Sequence, residues 1–147
     1  MLTKELEKKL ILKAIEMKEK AYCPYSKYQV GSAILAESGK IYGGHNIENS
    51  SYGACNCGER IAVFNGVSEG ERKFIAIAIC CGLEGKKQVV EKIEDVAFPC
   101  GICRQVLREF SSPKEFKVYM CISEEQFYVK TLEELLPHSF GPEFLLG

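Results

Sequence analysis

Apolar residues recur at three- and four-residue steps near the start of the chain. Leu6, Leu10, Ala14, Met17 and Ala21 predict a helix over residues 3–22, with Thr3 as its N-cap. Pro24 ends it, because proline cannot continue a helix and biases Cys23 toward extended geometry. The stretch "YQVGSAILAESGKIYGGHNI" then reads as two strands around a turn at Ser38, Gly39 and Lys40. A short helix is expected to begin near Cys55 and run through "ERIAVFNG". The unbroken apolar run "FIAIAIC" has the character of a strand covered on both faces. "CGLEGKKQVVEKIEDVAF" fits either a loop with a short helix or a strand–loop excursion. Beyond Pro99, "CGICRQVLREF" reads as helix, and "EFKVYMCI" and "QFYVKT" read as a hairpin through Ser123, Glu124 and Glu125. Thr131 and Glu134 make a capping-box start for "TLEELLP". Strands interleaved with helices, without repeats or linkers, predict one α/β layered domain over residues 1–147.

Composition narrows the class. Hydrophobic residues make up 46% and charged residues 27%, the balance of a soluble globular domain. No apolar run approaches the roughly 20 residues needed to cross a bilayer. The N-terminus lacks the long apolar core and small-residue cleavage site of a signal peptide. A cytoplasmic protein with no membrane partner is therefore expected. Net charge is −1, and the basic pairs Lys8-Lys9 and Lys86-Lys87 are mixed with glutamate, which argues against a polynucleotide partner. Small nucleic-acid components remain open. Eight cysteines without an export signal are not a disulfide framework. Most of them read as buried core thiols, leaving catalytic thiols or metal ligands as the choices for the rest.

The chemistry concentrates in two stretches. "PCGIC" places Cys100 and Cys103 at CxxC spacing, which by itself fits a redox pair, half a metal site or two incidental thiols. "CNCGER" adds Cys57 and Glu59, and CxE followed by a distant PCxxC matches the zinc deaminase signature, with Cys in place of the more familiar His. Both thiol groups sit at predicted helix N-termini, where exposed N–H groups favour thiolate over thiol. Two such helix starts can hold three thiolates around Zn²⁺ and leave a fourth position for water. Glu59, two residues past Cys57, suits a proton shuttle facing that position better than a ligand. A structural zinc with Cys55 as fourth ligand is the rival, at the expense of a strained CxC chelate.

Four stretches in order, "AYCPYSKYQVGSAIL", "GGHNIENSSYGACNCGER", "FPCGICRQV" and "ELLPHSFGPEFL", together resemble the small homotetrameric cytidine deaminases. They run from Ala21 to Leu145. The resemblance implies a three-layer αβα fold around a mixed five-stranded sheet, with one zinc per subunit held by Cys57, Cys100 and Cys103. It implies hydrolytic loss of ammonia from C4 of cytidine and deoxycytidine, with Glu59 as general acid–base. Arg60 would donate to ligand sulfurs and offset their charge. Asn46 and Glu48 of "NIEN" would bind the sugar 3′-hydroxyl and its surroundings, and the Gly58 backbone would bond the base. Tyr52 would lie near the sugar across a subunit interface and Phe140 of a neighbouring chain would cover the base, so that a homotetramer shares its sites.

The chain departs from that family in three places. Tyr28 stands where a phenylalanine commonly packs on the cytosine ring; its face can still stack, but its hydroxyl needs a partner if buried. Gly58 replaces alanine. The segment from Cys80 to Phe98 is longer than usual; a surface loop without a role is expected, with reshaping of an interface or of the site's rim as the alternative. His45, His138 and Cys55 fall outside the ligand set. Among other readings, deamination of a related ring such as blasticidin S is opposed by Asn46 and Glu48, and a non-catalytic zinc module by Glu59.

Overall fold

The computed structural model describes residues 2–147. Its centre is one sheet of five strands: β1 (Tyr28–Ala36), β2 (Ile41–His45), β3 (Phe74–Leu83), β4 (Lys117–Cys121) and β5 (Phe127–Thr131). They lie in the order β2-β1-β3-β4-β5. β1 runs antiparallel to both β2 and β3, β3 parallel to β4, and β4 antiparallel to β5. The sheet is therefore mixed, as expected. The parallel step needs a crossover, and the chain between β3 and β4 supplies it through a helix, α3 (Gly101–Glu109).

The two-residue period of the strands sorts the core into two halves. Ile77, Ile79 and Cys81 of β3 share one face with Ile34, Val118 and Met120, and this face packs on α2 (Gly58–Ser68) and α3. Ala76, Ala78 and Cys80 share the other with Ala33, Leu35 and Tyr119, and it packs on α1 (Lys4–Lys18). Helices thus cover both faces, which explains why "FIAIAIC" is apolar at every position. Two short helices, α4 (Leu132–Leu135) and α5 (Glu143–Leu146), close the chain. Among the described residues, no helix is long and apolar enough to cross a membrane.

The caps follow the sequence reading. The Thr3 side chain accepts from Leu6 N at 3.1 Å. Thr131 and Glu134 form the reciprocal capping box of α4. The boundaries differ in two places. α1 ends at Lys18, not at residue 22, because Tyr22 is recruited elsewhere: its N–H donates to Asn46 O at 3.0 Å and its carbonyl accepts from Glu48 N at 2.9 Å. A helix continuing through Ala21 could not make both bonds. α2 begins at Gly58, not near Cys55, because Asn56 and Ile47 exchange two main-chain bonds of 3.0 Å that hold this stretch extended. The segment left open by the sequence carries β3 on to Leu83 and then runs irregularly, with one 3₁₀ turn at Ile93–Asp95.

One glycine brings helix and sheet together at the point that matters. A Cβ at Gly44 would lie 2.3 Å from Ala62 N and 2.6 Å from Gly58 O, so α2 touches β2 backbone to backbone. The buried Ser32 hydroxyl completes the joint by donating to Gly58 O at 2.6 Å. The first turn of α2 is thereby pinned to the sheet.

Candidate active site

Cys57 is the N-cap of α2 and Cys100 the N-cap of α3, with Cys103 in the first turn of α3. Neither side chain makes the capping bond to a main-chain N–H of its own helix, so both thiols are free to turn toward each other. The three sulfurs lie within 4.8 Å of one another, with Cys57 to Cys100 at 4.0 Å and Cys100 to Cys103 at 3.5 Å. Arg60 Nη2 donates to Cys57 Sγ at 3.4 Å. Hydrogen bonding with Cys103, helped by Arg60, pulls the Cys57 thiol down to about 5. The same contact and burial push Cys103 upward. One proton leaves this cluster easily and the next is held back, because each new thiolate would face its neighbours' charge. A soft dication relieves that repulsion, and three sulfurs on two helix starts are a fitting donor set for zinc.

Glu59 follows directly in the first turn of α2. It is only 5% exposed, and among the described residues its Oε1 has no hydrogen-bond partner. Burial lifts its carboxyl to about 7. A buried carboxyl oxygen left unpaired beside a thiol cluster is poised to exchange protons with a bound molecule.

A cavity of about 450 Å³ opens here, lined by Cys57, Glu59, Arg60 and Cys100 and also by Tyr28, Asn46 and Glu48. Cys103, fully buried, stands behind its wall. Asn46 faces the cavity with both polar atoms engaged: Oδ1 accepts from Val30 N at 2.9 Å and Nδ2 donates to Tyr28 O at 2.8 Å. Glu48 accepts from Tyr25 N at 3.0 Å, from Ser26 N at 3.1 Å and from the Ser26 hydroxyl. The Ser26 hydroxyl and these N–H groups hold its carboxyl below the usual carboxylate range. Gly58 is buried beside the cavity. A Cβ there would sit 3.0 Å from Val30 O and 3.1 Å from His45 Cα, so glycine suits this helix start, pressed as it is against both strands.

Two sequence candidates lie apart from this cavity in the single chain. Tyr52 is 73% exposed in the 3₁₀ turn before α2 and meets Tyr25 edge to face at 5.8 Å. Phe140 is 57% exposed and stacks on Phe144 at 5.4 Å. Cys55 accepts from Asn49 N at 3.2 Å and stands outside the thiol cluster, so the four-cysteine alternative is not assembled. His45 Nδ1 bonds Asn46 O at 3.1 Å, and His138 lines a different cleft.

Sequence reasoning missed part of the wall. Ser26, which clamps Glu48, carries no local signal beyond its place in "YSKY". Ile79 and Met120 reach the cavity from strands whose pattern reads only as core, and Cys81 reaches it from the start of the segment that the sequence leaves open. The expectation that residues 80–98 form a surface loop without a role needs correcting, because Ala97 and Phe98 line the cavity. The signal available was their position directly before Pro99 and Cys100.

Fold and donor set together define an α/β protein built to bind zinc through three thiolates beside a buried carboxyl. Residues 4–120 match the family described as the cytidine and deoxycytidylate deaminase zinc-binding region. The chain is 43% identical over 137 residues to a cytidine deaminase of Sporosarcina psychrophila, covering 93% of each chain. It is likewise 43% identical over 134 residues to a cytidine deaminase of Halalkalibacterium halodurans, covering 91% of this chain and 93% of that one. The crystal structure of cytidine deaminase from Burkholderia pseudomallei superposes with a TM-score of 0.76 at 36% identity, covering 95% of this chain and 100% of the other. The chain belongs to the cytidine and deoxycytidylate deaminase family.

Proposed function

We propose that this chain is a zinc-dependent deaminase that converts cytidine and deoxycytidine, with water, to uridine and deoxyuridine and ammonia. The observation that carries this reading is the unpartnered Glu59 Oε1 at one cavity, beside the cluster of Cys57, Cys100 and Cys103. Those three cysteines would hold one zinc per subunit, and zinc bound there supplies the Lewis acidity that makes water nucleophilic near neutral pH. Glu59 Oε1 takes a proton from the attacking water, delivers it to ring N3, and then helps carry a proton to the departing amine. The hydrogen bond from Arg60 withdraws charge from the Cys57 sulfur. Tyr28 offers its ring to the base, the Gly58 backbone bonds it, and Asn46 and Glu48 take the sugar hydroxyls.

The same reading makes the chain a single domain that works as a cytoplasmic homotetramer. Tyr52 and Phe140 are exposed aromatics lying apart from the cavity, which suits residues that complete a neighbour's site. The decisive experiment incubates the zinc-loaded protein separately with cytidine, deoxycytidine, CMP and blasticidin S, following ultraviolet absorbance and ammonia. Turnover of the two nucleosides is expected. Turnover of blasticidin S alone would overturn the reading. Light scattering across a dilution series tests assembly, with activity per chain expected to fall as the tetramer dissociates.

A further inference from the structure

Tyr28 ends in a hydroxyl that is bonded within the protein. On the β1–β3 pair, Val30 stands directly opposite Cys81, and Tyr28 is two residues along the same face. The Tyr28 hydroxyl donates to Cys81 Sγ at 3.0 Å. Cys81, 5% exposed, donates in turn to Gln88 Oε1 at 2.7 Å. Burial pushes the Cys81 thiol up to about 11 and the Tyr28 phenol upward as well, so both keep the protons this chain of bonds requires.

Gln88 belongs to the irregular segment after β3, and its position is set by the turn that precedes it. Lys86 N donates to Leu83 O at 2.8 Å, and Glu84 N donates to Lys27 O at 2.7 Å. The chain folds back directly over Gly82, where a Cβ would lie 2.6 Å from Lys86 O and 2.9 Å from Gln88 N. Lys18, only 5% exposed, anchors the turn from the end of α1, donating to Lys86 O at 3.0 Å and to Gln29 Oε1 at 3.2 Å. Burying a lysine carries a desolvation penalty that these two bonds offset. Gln88 is therefore a fixed acceptor at the end of the relay.

We propose that Gln88 and Cys81 are positioning residues for the Tyr28 ring, so that the long segment after β3 sets how this cavity receives a planar base. The relay gives each group one role: the hydroxyl donates, the thiol accepts and donates, and the amide oxygen accepts. Without it, the phenol has no acceptor against the cavity wall and the ring is free to turn toward water. This inference rests on the reading of the cavity as a nucleoside site.

Two measurements test it. The first is a double-mutant cycle on steady-state constants with cytidine. Gln88→Leu and Cys81→Ala each raise KM about threefold to tenfold, the effect of one lost hydrogen bond, while kcat stays within about twofold. Cys81→Ser, which keeps a donor and an acceptor, stays near the parent KM. In the Tyr28→Phe background, Gln88→Leu has no further effect. Additive effects of Gln88→Leu and Tyr28→Phe overturn the proposal. The second measurement needs no turnover. With ring-labelled tyrosine, the Tyr28 NMR signal, assigned by its loss in Tyr28→Phe, shifts in Gln88→Leu and returns toward the parent in Cys81→Ser. A signal unmoved by Gln88→Leu overturns the relay. Failure of the parent to deaminate cytidine removes the functional reading, and the NMR result still decides the positioning role.

Discussion

At one end of the site, Cys57, Glu59, Cys100 and Cys103 rest on the first turns of two helices, and α2 is pinned to the sheet at Gly44 and Ser32. At the other, Glu48 and Ser26 rest on loops, and Tyr52 stands beyond them in a single 3₁₀ turn. Each thiol has a neighbouring thiol within bonding distance. Tyr52, by contrast, has little beyond one aromatic edge contact. The thiol end is assembled within one chain, while Tyr52 at the loop end stays exposed. Groups that must hold a metal and move a proton need fixed geometry, and regular elements provide it. Groups proposed to recognise a sugar tolerate loops held by side-chain clamps, such as that of Ser26 on Glu48.

The contrast can be broken most severely at Glu59. Glu59→Gln is expected to keep zinc, measured by metal analysis, and to lose about 10³-fold to 10⁴-fold in kcat. Substantial turnover by that zinc-loaded variant would move the proton chemistry elsewhere. Gly44→Ala attacks the support rather than the chemistry. Its Cβ would collide with Ala62 N, so thermal unfolding should show a loss of about 1–3 kcal/mol, with zinc retention falling too. Arg60→Ala should lower zinc affinity or activity about 10-fold to 100-fold by removing the hydrogen bond to Cys57, read by chelator competition. At the loop end, Glu48→Gln should raise KM about 10-fold with a smaller change in kcat, the signature of lost ground-state binding. Cys55→Ala should have the smallest effect, with zinc content unchanged at one per chain. A drop in zinc would bring back the four-cysteine site.

Much of this arrangement was legible along the chain. The apolar period and Thr3 marked α1, and the unbroken run at Phe74 marked a strand covered on both faces. Pro99 followed by Cys100 announced a helix start with thiols on it, and Cys57 with Glu59 announced the second. These signals are local: a cap, a breaker or a period is written within a few neighbouring residues. The end of α1 was not legible, because Tyr22 bonds residues more than twenty positions away. The same holds for Cys81 and Gln88, which the sequence leaves together in one unassigned segment until β1 lies beside β3.

Residue types and spacings were enough to point to the candidate reacting groups, an α/β layering and a thiol donor set, because each depends on short-range chemistry. The convergence of the two helix starts depended on backbone contact at Gly44 and on the crossover that sets α3 beside α2. So did the closeness of the three sulfurs, the isolation of Glu59 Oε1 and the partner of the Tyr28 hydroxyl. Those are distances between elements, and packing settles them through the space that each side chain fills or leaves.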